Sequence, residues 1–310
     1  MATAARNFDF RKLQAGNRRK SGELLFGMGI IVGAVVWALM TYFGKGGVAI
    51  VPVAIGIALL SVWGSYWASD KIVLTMTGAK LLNENENRQL YDLVSEVCVA
   101  AGLPLPKIAI VEDDAPNAFA TGRDPEHAVI AFTTGILRLM DREELQGVAA
   151  HEMSHVANRD TLVSAIAATT AGALAILTDF LMRMMIFGGG ERRDDRDNQN
   201  PIALIASIVV LILAPIAAML LRLAISRKRE ALADVTAVQF TRNPAGLRRA
   251  LEALQADTTV VQQRSTSVAH IWIESPLDDS SVSKLFATHP PLAERIATLR
   301  AMEANPTNPN

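Results

Sequence analysis

At 310 residues, half of them apolar and only 20% charged, the chain carries too little charge to coat an ordinary soluble protein, in which about a quarter of residues are charged. A net charge of −1 excludes the broad basic surface of nucleic-acid binders, so no nucleic-acid partner is expected. The single cysteine, Cys98, excludes a disulfide framework or a cysteine-based zinc knuckle and reads as a core thiol on a helix.

In chain order, a basic segment (1–22) carries Arg6, Arg11, Lys12, Arg18, Arg19 and Lys20. Two uncharged stretches follow, 24–43 and 47–68, each long enough for a helix to cross a bilayer. Tyr42, Trp63, Tyr66 and Trp67 stand near their ends, where aromatic rings favour the headgroup zone. A second apolar pair comes later, at 161–182 and 201–221. The former is the weaker span, diluted by Thr161, Thr169, Thr170 and Thr178 and carrying Asp179; its alternative is a helical hairpin packed on the protein itself. The basic residues before the first span, against Lys45 alone after it, set the N-terminus in the cytoplasm. Four crossings then divide the chain into a transmembrane hairpin (23–69), a cytoplasmic part (70–160), a second hairpin (161–225, with outer loop 183–200) and a second cytoplasmic part (226–310).

Within the cytoplasmic parts, apolar residues at Leu90, Leu93, Val94, Val97 and Ala101 predict a helix over 84–101 closed by Gly102. Strands are expected at 107–111, 117–121 and 128–133, the last two forming a hairpin about the turn residues Gly122 to Glu126. Asp141, with Glu144 three residues on, predicts a capping box opening a helix that reaches 158 and runs into the third apolar segment. Further helices are expected at 226–241, at 244–256 behind Asn243 and Pro244, and at 291–303, with a short strand near 269–273.

The chemistry lies in His151-Glu152-Met153-Ser154-His155. An offset of four on a helix sets both imidazoles on one face, where they can hold one zinc, with Glu152 beside them as a general base. A hydrolytic zinc needs a third protein ligand and an open position. No third histidine follows at a short spacing, which leaves a glutamate on a second helix. Glu230 fits, with Asp234 one turn later placed to orient a ligating imidazole. On spacing alone Glu230 reads equally as a surface glutamate paired with Arg227 or Arg229. The membrane spans favour the ligand reading, because His155 and Glu230 would each stand one or two turns from the same bilayer face.

The chain resembles the HtpX-type membrane-bound zinc metalloproteases, relatives of the prenyl-protein CAAX endopeptidases, over nearly its whole length. The resemblance rests on Pro116-Asn117-Ala118-Phe119-Ala120-Thr121-Gly122, on His151-Glu152-x-x-His155-x-x-Asn158-x-Asp160, on Ser226-Arg227-x-x-Glu230-x-x-Ala233-Asp234 and on Thr288-His289-Pro290-Pro291. Ala231 stands where an aromatic is usual. The implied architecture is a mostly α membrane protein with four transmembrane helices, the third the least certain, and a cytoplasmic α+β, gluzincin-like metallopeptidase domain with a small sheet. The implied setting is a bacterial inner membrane, and the implied substrates are damaged or misassembled membrane proteins. One Zn2+ per chain would be held by His151, His155 and Glu230, with Asp234 and Asn158 supporting the ligands. Glu152 would take a proton from water and pass it to the leaving amine. His289 would donate to the oxyanion, or else hold structural hydrogen bonds at a helix start. Asn117, Ala118, Phe119 and Ala120 would form an edge onto which an extended substrate adds by backbone hydrogen bonds. A non-catalytic scaffold with structural zinc and a narrow-specificity processing peptidase are the competing functions; nothing in the sequence sets the oligomeric state.

Overall fold

The structure, a computed structural model, describes residues 50–165, 227–257, 259, 272–273 and 291–304, together with scattered positions between 19 and 37. The expected spans 24–43, 161–182 and 201–221 and the loop 183–200 lie wholly or largely outside the described residues.

The helix α1 (Ile50–Thr77) covers residues 50–68 of the second expected span and continues past it through Asp70 and Lys71. Val53, Ile55, Leu59, Leu60, Trp63 and Trp67 on it are exposed, while Val73 near its end is buried. Over the described residues no helix is long and apolar enough to cross a membrane.

Beyond α1 the described residues form a four-stranded sheet from β1 (Lys80–Leu81), β2 (Lys107–Val111), β3 (Ala118–Thr121) and β4 (Val129–Thr133), in the order β1-β2-β4-β3. The expected hairpin is present: β3 runs antiparallel to β4 with Ala118 opposite Phe132. Its turn needs Gly122, whose φ is 128° and where an added Cβ would stand 2.4 Å from the His127 carbonyl oxygen. β2 pairs with β4 in parallel and β1 with β2 antiparallel. Both faces of the sheet are covered, which is why β4 reads as an unbroken apolar run. On one face Ile108, Ala118, Ala120, Ile130 and Phe132 meet the helices that follow. On the other, Phe119, Val129 and Ala131 meet Val73 of α1, Ala165 and Trp272. Arg123 in the hairpin turn lies over the Trp67 ring, 4.6 Å from its centroid, bracing the turn against α1.

The predicted helix over 84–101 is two pieces, a 3-10 turn at Glu84–Glu86 and α2 (Arg88–Ala101). Asn87 separates them: its non-helical backbone (φ −150°, ψ 78°) ends the turn and its side chain accepts from Leu90 N–H at 3.1 Å, capping α2. Gly102 closes α2 in the left-handed conformation, as expected. β1 and the short α3 (Thr134–Leu139) fall below the length at which periodicity shows.

The central helix, α4 (Arg142–Ala157), begins with the capping box read from sequence: Asp141 accepts from Glu144 N–H at 2.9 Å and Glu144 from Asp141 N–H at 3.0 Å. It is buried on nearly every side, packed against α2, β3, α5 (Arg227–Thr241) and α6 (Pro244–Ala256). It approaches α6 closely at Gly147, where a Cβ would stand 2.6 Å from the Leu247 nitrogen. α6 starts where Asn243 and Pro244 predict, with Asn243 accepting from Gly246 N–H. The last helix, α7 (Leu292–Ala304), packs on α6 through Ile296 and Leu299.

One expectation is corrected here. α4 does not continue into the third apolar segment: it ends at Asn158, Arg159 takes a left-handed φ of 61°, and the chain is helical again from 160 to 165. The break redirects Asp160 toward the histidines.

Candidate metal centre

α4 presents His151, Glu152 and His155, and α5, packed beside it, presents Glu230 and Asp234. The ring nitrogens of His151 and His155 meet Nε2 to Nε2 at 3.3 Å. Glu230 reaches both, Oε2 at 3.5 Å from His151 Nε2 and Oε1 at 3.6 Å from His155 Nε2. The three donor atoms lie within 4.8 Å of one another. Glu230 is only 2% exposed, which removes the reading of it as a surface glutamate; its neighbour Arg229 turns instead to Asp160, 3.5 Å away.

Behind each imidazole stands an aspartate. Asp234 Oδ1 is 3.0 Å from His151 Nδ1, a placement from which a carboxylate can orient the ring. At His155 the partner is Asp160, with Oδ2 3.2 Å from Nδ1. Asn158, expected to support a ligand, is the C-cap of α4, its N–H donating to the Ser154 carbonyl, and Asp160 stands beside the His155 ring. With both Nδ1 atoms beside an aspartate, both Nε2 atoms face Glu230, the orientation that a metal needs.

The electrostatics call for a cation. Glu152, Asp160, Glu230 and Asp234 are buried together with Arg229 and Arg295. Four carboxylates and two guanidiniums surround the two imidazoles, so the pocket is rich in buried acidic groups, an environment suited to a divalent ion. Burial by itself drives both imidazoles down, yet the surrounding carboxylates prevail: His155, facing Glu230, Asp160 and Glu152, is pushed up to about 9. His151 is raised as well by Asp234 and Glu230, against burial and the Arg295 charge. Burial pushes Asp234 up, but Arg295 and His151 outweigh it and hold its carboxyl below the ordinary range. Two imidazole nitrogens and a carboxylate are a donor set that fits zinc.

The sequence profile of Peptidase family M48 matches residues 84–303, which include every group just described. The chain belongs to peptidase family M48. It is therefore a metal-dependent protease, and the M48 domain is a mixed α and β fold with a small sheet. A "Protease HtpX homolog" of Syntrophobacter fumaroxidans is 46% identical over 273 residues, covering 87% of this chain and 96% of that protein. Another, of Thermoanaerobacter pseudethanolicus, is 44% identical over 293 residues, covering 94% and 97%. The crystal structure of S. mikatae Ste24p matches with a TM-score of 0.50 at 19% identity, over 93% of this chain and 66% of that longer one, a likeness of fold.

Within this M48 domain the other expected site residues are placed as follows. His289 lies outside the described residues. β3 does lie at the sheet edge, against α4, and its side chains are buried. Part of that edge is taken: Ile273 N–H donates to the Ala118 carbonyl at 3.0 Å, and Trp272 packs edge-on against Phe119 with ring centroids 4.8 Å apart. Asn117 accepts from the Ala118 N–H through its own side chain and from Thr133 N–H through its carbonyl. Strand alternation turns the backbone of Ala120 toward the same edge as Ala118. Asp160, Arg229 and Arg295 went unrecognised as site residues. For Asp160 the signal was present in the five-residue offset from His155; for Arg295, on a helix 144 residues from His151, no local pattern exists.

Proposed function

We propose that the chain is an integral membrane, zinc-dependent endopeptidase that cleaves misfolded or damaged membrane proteins at the cytoplasmic face of a bacterial inner membrane. The convergence of His151, His155 and Glu230 with Glu152 alongside carries the reading. One Zn2+ per chain would be held by those three ligands. When bound, it supplies Lewis acidity to the attacking water and the scissile carbonyl. The remaining work belongs to the chain. Glu152, whose charge is felt by both His155 and Arg295, accepts a proton from the water as its oxygen bonds to the carbonyl carbon. It returns that proton to the nitrogen as the C–N bond breaks. Asp234 and Asp160 hold the imidazoles in place throughout. An extended substrate adds at the β3 edge from Ala120 outward, since Ile273 occupies the Ala118 carbonyl.

Membrane integration is supported by the uncharged stretches 24–43 and 201–221 and by the exposed apolar side chains of α1. Four crossings would bring the lipid-proximal ends of the second hairpin to the ligands on α4 and α5. The deciding experiment is Glu152→Gln in the full-length protein. Zinc content should stay at one per chain, while cleavage of a membrane-embedded reporter falls by about 10²–10⁴-fold, the typical share of general acid–base catalysis. Wild-type cleavage in that variant would overturn the assignment of Glu152.

A further inference from the structure

We propose that Arg295 is a positioning residue of the metal centre, acting on His151 through Asp234; this rests on the reading of His151, His155 and Glu230 as ligands. Arg295 sits in the first turn of α7, 3% exposed, and closes a planar fork on Asp234. Its Nε donates to Oδ2 at 2.9 Å and its Nη2 to Oδ1 at 2.7 Å. That Oδ1 is the atom 3.0 Å from His151 Nδ1. A carboxylate held by one hydrogen bond can turn about its Cβ–Cγ bond; one held at both oxygens cannot. The fork therefore sets the direction of Oδ1 and, through it, the rotation of the His151 ring that aims Nε2 at Glu230. The guanidinium also lies against the ring itself, with Nη2 3.3 Å and 3.4 Å from its two nitrogens, and Nη1 is 3.9 Å from Glu230 Oε2. A helix from the far end of the chain is thus part of the site's geometry.

The sign of the effect separates positioning from simple charge. A guanidinium this close repels a second cation, so an arginine acting only by charge would, on removal, leave zinc bound more tightly. An arginine that acts by orienting Asp234 leaves zinc bound more weakly when it is lost. Lysine keeps the charge without the fork and should rescue only in part.

The test measures the zinc dissociation constant of the full-length protein, by competition with a chromophoric chelator, in R295M, R295K, D234N and the D234N/R295M double variant, with melting of each metal-free protein. R295M and D234N should each weaken zinc about 10–100-fold, the range for losing a partner behind a ligand. In the D234N background R295M should change the constant by less than about threefold or tighten binding, because the two residues act as one unit. R295K should fall between wild type and R295M. Zinc held by R295M as tightly as by wild type, or more tightly, overturns the proposal, as does a double variant weakened by the product of the single effects. If R295M fails to melt cooperatively, R295K decides: weakening of about threefold or more supports the proposal, and less overturns it. The readout is metal affinity, so an absence of peptide cleavage would sink the peptidase reading and leave this question separately answered.

Discussion

His151 and His155 stand one turn apart on the same helix, yet the groups behind them are assembled in different ways. The support of His151 is wholly tertiary: Asp234 comes from α5 and Arg295 from α7, joined by two short hydrogen bonds of 2.7 and 2.9 Å. That of His155 is partly local, with Asp160 five residues away beyond the helix break and Arg229 reaching Asp160 at 3.5 Å. Exposure follows the same division, 1% for the His151 side chain and 15% for that of His155. Among the described residues the His151 side is the more completely enclosed and the His155 side the more exposed. If a metal is held here, the His155 side is the expected side of approach for solvent and substrate.

The strongest way to break this comparison is to remove what the two sides share. Glu230→Ala should abolish stoichiometric zinc, because neither aspartate can replace a ligand that bridges both rings; one zinc per chain after gel filtration would show that the two halves hold metal without it. A finer test sets the sides against each other. Asp234→Asn should weaken zinc about 10–100-fold and Asp160→Asn by the lower end of that range or less. Equal losses in chelator competition would erase the distinction between the two sides.

The smallest effect concerns a buried group on α2, outside the centre, and serves as its control. Burial raises the Cys98 thiol from 9.0 to about 11. Its neutral form is thus favoured in the fold, so its contribution to stability is complete below about pH 9 and is lost as pH climbs toward about 11. Cys98→Ala should remove part of the fall in melting temperature across that interval and leave zinc affinity unchanged. An identical pH profile in the variant would count against the burial argument.

What could be read from the sequence is what depends on neighbours in the chain. The capping box of Asp141 and Glu144, the Asn243 cap with Pro244, and the His151–His155 offset all follow from helical spacing, and each is where it was expected. The fully buried pair β3 and β4 was visible because turn residues separate two apolar runs. Spacing could not resolve Glu230, whose helix register is equally good for a surface pair; burial against α4 decides it. The left-handed turn at Arg159 was hidden because nothing in Asn158-Arg159-Asp160 forbids a continuing helix, and with it went the role of Asp160. Arg295 depends on how α7 docks on α6, which no window of sequence contains.

Gly147 shows where the tolerance of this centre is set. It bears no functional group and lies one turn before His151, pressed so closely to α6 that a single methyl group would collide with the backbone of Leu247, 2.6 Å from its nitrogen and 2.7 Å from its Cα. Backbone cannot move aside as a flexible side chain can, so the methyl would act as a wedge between α4 and α6. The helix carrying both imidazoles would be pushed off while Glu230 and Arg295 stayed on their own supports. A metal site whose donors must agree to a few tenths of an ångström is in this way hostage to the absence of one carbon atom.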